Sequence, residues 1–241
     1  MQTGHNLSGV DPKQKIDSFA VGASNCFAHA ATWHVANEPS SAPYNPILVY
    51  GRPGSGKTHL LHAVGNHIIA QKNSVVRYLT VDDWRHSFVK AVKERDIPEL
   101  FAGFRRIGVL LLDNAEVLRA MTATYKEFAW FVLTIACDIS VVIASSCSPK
   151  DDPLGEWVDE RCSRSLIVEI ELPDSEMRSK MLGLKAASLG FPVPTDVLNI
   201  VANREVGGVR EMIGDLLRVV ERARVLGCAV STDIAVQALD E

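Results

Sequence analysis

The part of the sequence best suited to chemistry is the glycine-rich stretch GRPGSGKT at positions 51–58. It fits the pattern G-x-x-x-x-G-K-[ST], in which glycines let the backbone curl so that several N–H groups converge on phosphate oxygens. Lys57 would reach the outer phosphates, and the Thr58 hydroxyl would bind Mg²⁺. The stretch therefore predicts a site for a nucleoside diphosphate or triphosphate. Its expected contacts are Gly51, Pro53, Gly54, Ser55, Gly56, Lys57, Thr58 and His59.

The surroundings of this loop distinguish a working site from a chance match in a flexible segment. The loop directly follows the apolar run ILVY (47–50), and a helical pattern covers 58–71. A strand–loop–helix order aims the positive end of the helix at a bound phosphate. Both neighbours of the loop therefore support a nucleotide site.

A second candidate residue, Asp113, ends the apolar run GVLLLD (108–113). A carboxylate at the end of such a strand can hold the Mg²⁺ shell. Hydrolysis usually also needs a neighbouring carboxylate that orients the attacking water and accepts its proton. The next residue is Asn114, which cannot accept a proton. Glu116 could substitute, although we favour a surface position for it on the next turn. We therefore expect nucleotide binding with slow or absent hydrolysis.

A parallel sheet is needed to hold these residues together. Further apolar runs of strand type cover 75–80, 140–145 and 166–172, and helical patterns cover 25–37, 82–95 and 124–136. Strands that alternate with helices predict an α/β domain whose parallel sheet is covered on both faces.

The pattern changes to helices alone after Pro173. Helical patterns then cover 174–190, 195–203, 208–226 and 231–240, and Asp174 is placed to cap the first of them. We therefore predict a flexible arm at 1–15, an α/β nucleotide-binding domain at 16–173 and a small all-helical lid domain at 174–241.

Charge, cysteine spacing and hydropathy indicate the compartment and the kinds of partner to expect. The 241 residues carry a formal net charge of −4, so contact with nucleic acid or anionic lipid would need a local basic patch. The five cysteines lack C-x-x-C spacing, which argues against a disulfide framework or a zinc site. There is no signal-peptide pattern and no apolar run near the ~20 residues that span a bilayer. We expect a cytoplasmic protein that does not bind membranes.

Several motifs together resemble a known family across residues 16–241. They are FAVGASNCFAHAAT (19–32), YNPILVYGRPGSGKTHLLHAVGNHI (44–68), VRYLTVDDWRHSFVKAV (76–92), VLLLDNAEVL (109–118), PDSEMRSKMLGLKAASLGFPVPTDVLNIVA (173–202) and GGVREMIGDL (207–216). In this order they resemble the AAA+ module of bacterial DnaA replication initiators and their Hda-type relatives. The resemblance implies a three-layer P-loop domain with a helical lid that binds ATP or ADP with Mg²⁺. It also implies that Val21, Gly22 and Asn25 lie where the chain passes over the adenine.

The resemblance gives roles to two arginines. Arg210 stands at the position of the family's sensor-2 arginine, which contacts the nucleotide phosphates from the lid; alternatively it pairs on the helix surface with Glu211 or Asp215. Arg164 stands at the position of the finger that supplies charge to a neighbouring subunit's γ-phosphate. Because this block is shorter than the family's usual form and lacks its aromatic residue after the arginine, Arg161 is an alternative finger.

Departures from the family pattern bear on both hydrolysis and DNA binding. The order Asp113-Asn114-x-Glu116 resembles the Hda-type regulators more than the initiators, and Ser146 stands where the initiators carry their sensor-1 acid. Both changes weaken the expectation of efficient hydrolysis. The sequence also stops where an initiator continues into its helix-turn-helix domain. We therefore expect no sequence-specific binding of duplex DNA through such a module.

Single-stranded DNA is a further candidate partner, because initiators of this family contact it through a helical insertion after the second strand. The matching stretch here, 84–108, is locally basic, and basic grooves hold single strands. Acidic residues interleave with the bases, so a solvated helix face is the alternative. The bases are Arg85, Lys90, Lys93, Arg95, Arg105 and Arg106, and the acids are Glu94, Asp96 and Glu99.

Three functions agree with these features. The first is an Hda-like regulator that docks on a DnaA-type AAA+ protein, although the N-terminal MQTGHNLSG offers no convincing sliding-clamp motif. The second is an initiator-type switch that self-associates with ATP and binds single-stranded DNA. The third is a helicase-loader ATPase. All three are adenine-nucleotide switches in DNA replication initiation or its regulation.

Overall fold

Five parallel strands form one sheet in the computed structural model, which describes residues 8–39, 43–71, 74–150, 164–204 and 208–240. Their order across the sheet is β2-β3-β4-β1-β5. The carboxyl ends of all five strands meet at one edge of the sheet, where ligands of open parallel sheets bind. The strands are β1 (Ile47–Tyr50), β2 (Val76–Thr80), β3 (Val109–Asp113), β4 (Ser140–Ser145) and β5 (Leu166–Glu169).

Helices cover both faces of this sheet and then continue alone to the end of the described chain. Short 3-10 helices lie at Ile16–Ser18 and Ala115–Ala120. The α-helices are α1 (Cys26–Asn37), α2 (Lys57–Gln71), α3 (Val81–Glu94), α4 (Ile97–Arg105), α5 (Thr122–Ala136), α6 (Ser175–Ser188), α7 (Thr195–Ala202), α8 (Val209–Leu226) and α9 (Thr232–Leu239).

Alternate residues of each strand pack on opposite faces of the sheet. In β3, Val109 and Leu111 pack with α1 and α2, whereas Leu110 and Leu112 pack with α3, α4 and α5. Because successive strand side chains point to opposite faces, a sheet covered on both sides requires nearly continuous apolar strands. The predicted α/β class with a parallel sheet is confirmed.

The helices α6 to α9 share a hydrophobic core of their own. Leu182 of α6 and Leu216 of α8 are fully buried in it, and no strand occurs among the described residues of 174–240. Asp174 caps α6, since its carboxylate accepts a hydrogen bond of 2.8 Å from the Met177 N–H. The change from strands to helices after residue 173 is therefore present in the structure.

Two parts of the chain differ from the sequence predictions. Residues 8–15, predicted to belong to a flexible arm, pack on the α/β body: Val10 is only 2% exposed, and Tyr78 donates its N–H to the Ser8 carbonyl at 2.7 Å. The helix predicted at 82–95 is present as α3, but the separate helix α4 that follows it was not predicted. Pro98 stands in the first turn of α4, where a proline starts a helix without losing a hydrogen bond.

The described part of the chain contains no helix that is long and apolar enough to cross a membrane. Its cysteines, Cys26, Cys137, Cys147 and Cys228, are free thiols. Cys162 lies outside the described residues.

Candidate functional site

The glycine-rich loop joins the end of β1 to the start of α2. Gly56 has a φ of 103°, which residues with a side chain rarely adopt. A Cβ at Gly51 would lie 2.3 Å from the Ile170 carbonyl oxygen, so only glycine fits there between the loop and the chain after β5. The loop is thus held at the carboxyl edge of the sheet, with the amino end of α2 directly behind it.

Lys57 is the first residue of α2 and is only 8% exposed. Its Nζ donates hydrogen bonds to the carbonyl oxygens of Gly51 (2.6 Å) and Arg52 (3.0 Å). Burial lowers the pKa of Lys57, and the carboxylates of Glu116 and Asp113 oppose that shift. A confined ammonium group at a helix amino end suits the outer phosphates of a nucleotide.

Asp113 ends β3 and is 2% exposed. Its Oδ2 accepts hydrogen bonds from the hydroxyls of Thr58 (2.7 Å) and Tyr78 (2.8 Å), and its Oδ1 accepts one from the Asn114 N–H (2.9 Å). A hydroxyl and a carboxylate oxygen at this separation are the hard donors that Mg²⁺ prefers, so Thr58 and Asp113 fit this ion. Burial and the nearby Asp113 carboxylate raise the pKa of Tyr78.

Glu116 lies in the 3-10 helix after β3 and is half-buried. Its Oε2 accepts a hydrogen bond of 3.0 Å from the Ser146 N–H, which follows the end of β4. Its carboxylate also acts on the pKa of Lys57 more strongly than Asp113 does. The side chain thus points along the sheet edge toward the phosphate loop, which differs from the surface position that we favoured from the sequence.

A cleft of about 540 Å³ lies between the phosphate loop, the segment at 11–20 and the helices α6 and α8. Arg210, the second residue of α8, lines this cleft together with Lys57 and Thr58, and its charge contributes to the lowered pKa of Lys57. The other lining residues are Asp11, Lys13, Gln14, Ser18, Phe19, Ala20, Gly54, Gly56, His59, Met181, Leu184, Lys185, Ser188, Val209 and Ile213.

One of the acids predicted as a partner of Arg210, Asp215, is engaged by other arginines. Asp215 forms ion pairs with Arg204 (3.4 Å) and Arg218, so its carboxylate is occupied by other arginines. The backbone nitrogen of Val209 lies 3.7 Å from the position that a Cβ on Gly54 would take. The amino end of α8 therefore abuts the phosphate loop and presents Arg210 to it.

Of the three residues expected over the adenine, two contact the lid and one holds its own turn. The Asn25 side chain donates to the Ala20 carbonyl (2.8 Å) and accepts from the Gly22 N–H (3.0 Å), so its amide is used inside the turn. The Val21 carbonyl accepts a hydrogen bond of 2.9 Å from Lys180 of α6. A Cβ at Gly22 would meet the sulfur of a methionine of α6 at 2.9 Å. Val21 and Gly22 thus join the amino-terminal turn to α6, and Asn25 holds the turn itself.

Sequence reasoning missed Tyr78 and the cleft-lining residues at 11–20. Tyr78 stands two residues before Thr80, which is paired with Asp113 in the register of β2 and β3. A tyrosine near the carboxyl end of a strand could have indicated a residue of the site. Using this signal requires knowing that β2 and β3 are neighbours in the sheet. Residues 11–18 are mostly polar and carry no motif, and Phe19 and Ala20 only open the motif at 19–32, so the place of this segment in the cleft follows from tertiary packing.

The predicted finger, Arg164, lies away from this chain's own phosphate loop. It precedes β5, at the amino end of the strands, and its Nε donates to the Pro43 carbonyl at 3.4 Å. Because the loop follows the carboxyl end of β1, the two stand at opposite edges of the sheet. Any contact of Arg164 with a nucleotide would therefore be with that of another subunit. The alternative, Arg161, lies outside the described residues.

Most bases of the segment at 84–108 are paired with acids. The ion pairs are Arg85–Asp82 (3.2 Å), Lys90–Glu94 (3.9 Å), Arg105–Asp138 (2.7 Å) and Arg106–Glu99 (3.6 Å). Within the part of the chain that the structure describes, Lys93 and Arg95 form no such pair. This pairing favours a solvated face over a basic groove.

Comparison with known proteins gives consistent matches over the whole chain. The family model "Bacterial DnaA ATPase domain" matches residues 10–169. The chromosomal replication initiator protein DnaA of Symbiobacterium thermophilum is 36% identical over an alignment that covers 100% of this chain and 53% of that protein. The chain thus spans about half the length of this relative.

Solved structures give the same result for the fold. Domain III of the Thermotoga maritima replication initiation protein DnaA matches with a TM-score of 0.83 and 26% identity, covering 96% of this chain and 97% of that one. A replication initiator DnaA bound to AMPPCP and single-stranded DNA matches with a TM-score of 0.74 and 24% identity, covering 95% and 81% of the two chains. The chain therefore belongs to the family of bacterial DnaA ATPase domains, which are AAA+ modules.

Proposed function

We propose that this chain binds ATP or ADP together with Mg²⁺ and works as a nucleotide-dependent AAA+ switch in replication initiation or its regulation. The observation that carries the proposal is the hydrogen bond of 2.7 Å between Thr58 and Asp113 at the phosphate loop. Binding of Mg²⁺ together with the nucleotide would need these two side chains next to each other, because both supply the oxygen donors that the ion prefers. The DnaA protein solved with AMPPCP, an ATP analogue, supports an adenine nucleotide.

Each element around the cleft has a distinct part in this proposal. The loop N–H groups and Lys57 hold the outer phosphates, and Thr58 and Asp113 hold the ion. When bound, Mg²⁺ neutralises charge on the outer phosphates. Arg210 reaches the phosphates from the helical lid at 174–241, so the position of the lid depends on the nucleotide. Met181 and Leu184 of α6 supply apolar surface for the base end of the ligand.

We further propose that hydrolysis is slow. Asn114 occupies the place of a second acid, is exposed and has a φ of 59°. Glu116 is the carboxylate best placed to orient a water, but one of its oxygens is engaged by the Ser146 N–H. A general base that is partly committed to a structural hydrogen bond accepts protons less readily.

The kind of partner that this chain binds is inferred from the position of Arg164 and from the ion pairs along 84–108. Arg164, at the edge of the sheet away from its own loop, favours a role toward a neighbouring AAA+ subunit, either a second copy or a DnaA-type protein. A DnaA protein of this fold binds single-stranded DNA. The ion pairs along 84–108 leave less free positive charge for such a contact here. Docking on another AAA+ protein is therefore the preferred interaction.

Nucleotide affinity of a loop variant tests the proposal. Replacing Lys57 with alanine removes the ammonium that faces the phosphates, and we expect the affinity for ATP and ADP to fall by at least about a hundredfold. Lys126→Ala changes an exposed lysine on α5 and serves as the matched control. Titration calorimetry with Mg²⁺ measures both variants, and circular dichroism checks their fold. Wild-type affinity in a folded Lys57→Ala protein would refute the proposal.

A further inference from the structure

Tyr78 holds the acid that the magnesium site depends on. Its hydroxyl donates a hydrogen bond of 2.8 Å to Asp113 Oδ2, the same oxygen that accepts from Thr58. With the Asn114 N–H on Oδ1, the carboxylate receives three hydrogen bonds from three directions. The phenol thereby limits rotation of the carboxylate by holding the oxygen that also faces Thr58.

Tyr78 is itself held by the amino-terminal segment at 8–11, which we call the edge segment. β2 is an edge strand of the sheet, and the edge segment lies along it: the Tyr78 N–H donates to the Ser8 carbonyl at 2.7 Å. Gly9 has a φ of 70°, and a Cβ there would lie 2.5 Å from the Tyr78 carbonyl oxygen. A close approach of two backbones along a strand edge requires glycine at this position.

The helix α2 fixes the other end of the same segment. The Asp11 N–H donates to Nδ1 of the buried His62 at 3.2 Å, and the His62 ring packs against the Tyr78 ring with their centroids 4.1 Å apart. Asn66 donates to the Asp11 carbonyl at 2.7 Å. Val10 is buried between these contacts. The edge segment, His62 and Tyr78 therefore form one packed unit that ends on Asp113.

We infer that Tyr78 is a positioning residue for Asp113 and that docking of the edge segment holds Tyr78 in the position that favours Mg²⁺. The inference rests on the proposed function, because it concerns how this site takes Mg²⁺ with a nucleotide. Linkage makes the effect reciprocal: if docking of the edge segment favours the ion, then Mg²⁺ with nucleotide must favour docking by the same factor.

Removing the phenolic oxygen tests the first half of the inference. For wild type and Tyr78→Phe, the dissociation constant of ADP is measured in EDTA and with Mg²⁺, and the ratio of the value in EDTA to the value with Mg²⁺ is compared. We expect the ratio in Tyr78→Phe to fall by about threefold to tenfold, with the affinity in EDTA unchanged. In an Asp113→Asn background, Tyr78→Phe is expected to change the ratio no further, because Tyr78 acts through that carboxylate.

Displacing the edge segment tests the second half without touching Tyr78. Gly9→Ala places a Cβ against the Tyr78 carbonyl and is expected to lower the same ratio. Gly190→Ala is the matched control, since Gly190 has a φ of 73° but no atom within 4 Å of its Cβ position. Trypsin cleavage after Lys13 and Lys15 reports docking. Cleavage should accelerate in Gly9→Ala, and Mg²⁺ should slow it in wild type with ADP relative to ADP with EDTA.

The outcomes separate failure of the inference from failure of the proposed function. If wild type binds no nucleotide in either buffer, the proposed function is refuted and the inference with it. If wild type binds ADP more tightly with Mg²⁺ and both variants keep that ratio, only the inference is refuted. If Tyr78→Phe does not fold, Gly9→Ala decides: an unchanged ratio with accelerated cleavage overturns the inference, and a lowered ratio supports it.

Discussion

Asp215 of α8 supplies the sharpest test of how the lid is held together. Its carboxylate is 2% exposed, and Oδ1 accepts a hydrogen bond from Arg218 one turn away. Oδ2 lies 3.4 Å from Arg204, an ion pair whose geometry makes no hydrogen bond. Arg204 lies two residues after the end of α7, so this acid ties α8, which begins beside the phosphate loop, to the chain that leaves α7.

The size of its contribution follows from burial. A hydrogen bond to a charged group contributes about 1.5–3 kcal/mol. The arginines are 36% and 59% exposed and can rehydrate when the acid is removed, which limits the loss. We therefore expect Asp215→Ala to lower the free energy of unfolding of the lid by about 2 kcal/mol.

A matched pair on the same helix provides the control. Glu221 and Arg224 have the same i,i+3 spacing, but their side chains are 59% and 67% exposed. Glu221→Ala should therefore cost no more than about 0.5 kcal/mol. Urea unfolding of the full chain, followed by helical circular dichroism, measures both variants. Equal losses in the two variants, or no loss in Asp215→Ala, would refute the argument from burial.

Two further predictions concern the site and its pH dependence. Glu116→Gln keeps an oxygen for the Ser146 N–H but removes the negative charge. Nucleotide affinity should persist, while the rate of single-turnover hydrolysis should fall by about tenfold or more. Hydrolysis at the wild-type rate would show that Glu116 has only a structural role. Burial lowers the pKa of His62, partly opposed by Asp11 and Asp113. The unfolded chain then takes up the proton first as the pH falls through about 6.5, so stability is lost below that pH. His62→Asn, which can still accept from the Asp11 N–H, should flatten this loss in urea unfolding between pH 7.5 and 5.5; an unchanged slope would assign it to other groups.

The strands whose positions are determined by local hydrophobic patterns were predictable from the sequence. β1 and β4 lie where their apolar runs predicted, at 47–50 and 140–145, because strands buried on both faces must be apolar throughout. The last strand ends at Glu169, three residues before the predicted end. Ile170 still donates to Tyr50, but the Glu171 N–H turns to the Ser24 carbonyl. No local signal marks that departure.

The same division applies to the site. The phosphate loop and Asp113 each belong to an unbroken local motif, at 51–58 and 108–113. The sequence alone therefore predicted that both belong to one site. The direction of Glu116 depends on the neighbouring loop after β4, and the position of Tyr78 depends on the order of the strands. The hydrogen bonds of the Asn25 side chain to its own turn likewise depend on the local fold. The orientations of the Glu116 and Tyr78 side chains are determined by packing between distant parts of the chain, which a single sequence does not reveal.

The contacts between lid and body explain why a switch can be built here. Lys180 reaches the Val21 carbonyl, a methionine of α6 packs on Gly22, and the start of α8 abuts Gly54 of the phosphate loop. The α8 contact borders the cleft, whereas the lid core lies among the lid helices themselves. The lid can therefore shift as a packed unit without exposing its own core. In the proposed function, a phosphate that engages Arg210 would act on the first turn of α8, a helix that packs on the other lid helices through the buried Leu216. A nucleotide bound in the cleft would therefore be coupled to lid position through Arg210 and the first turn of α8.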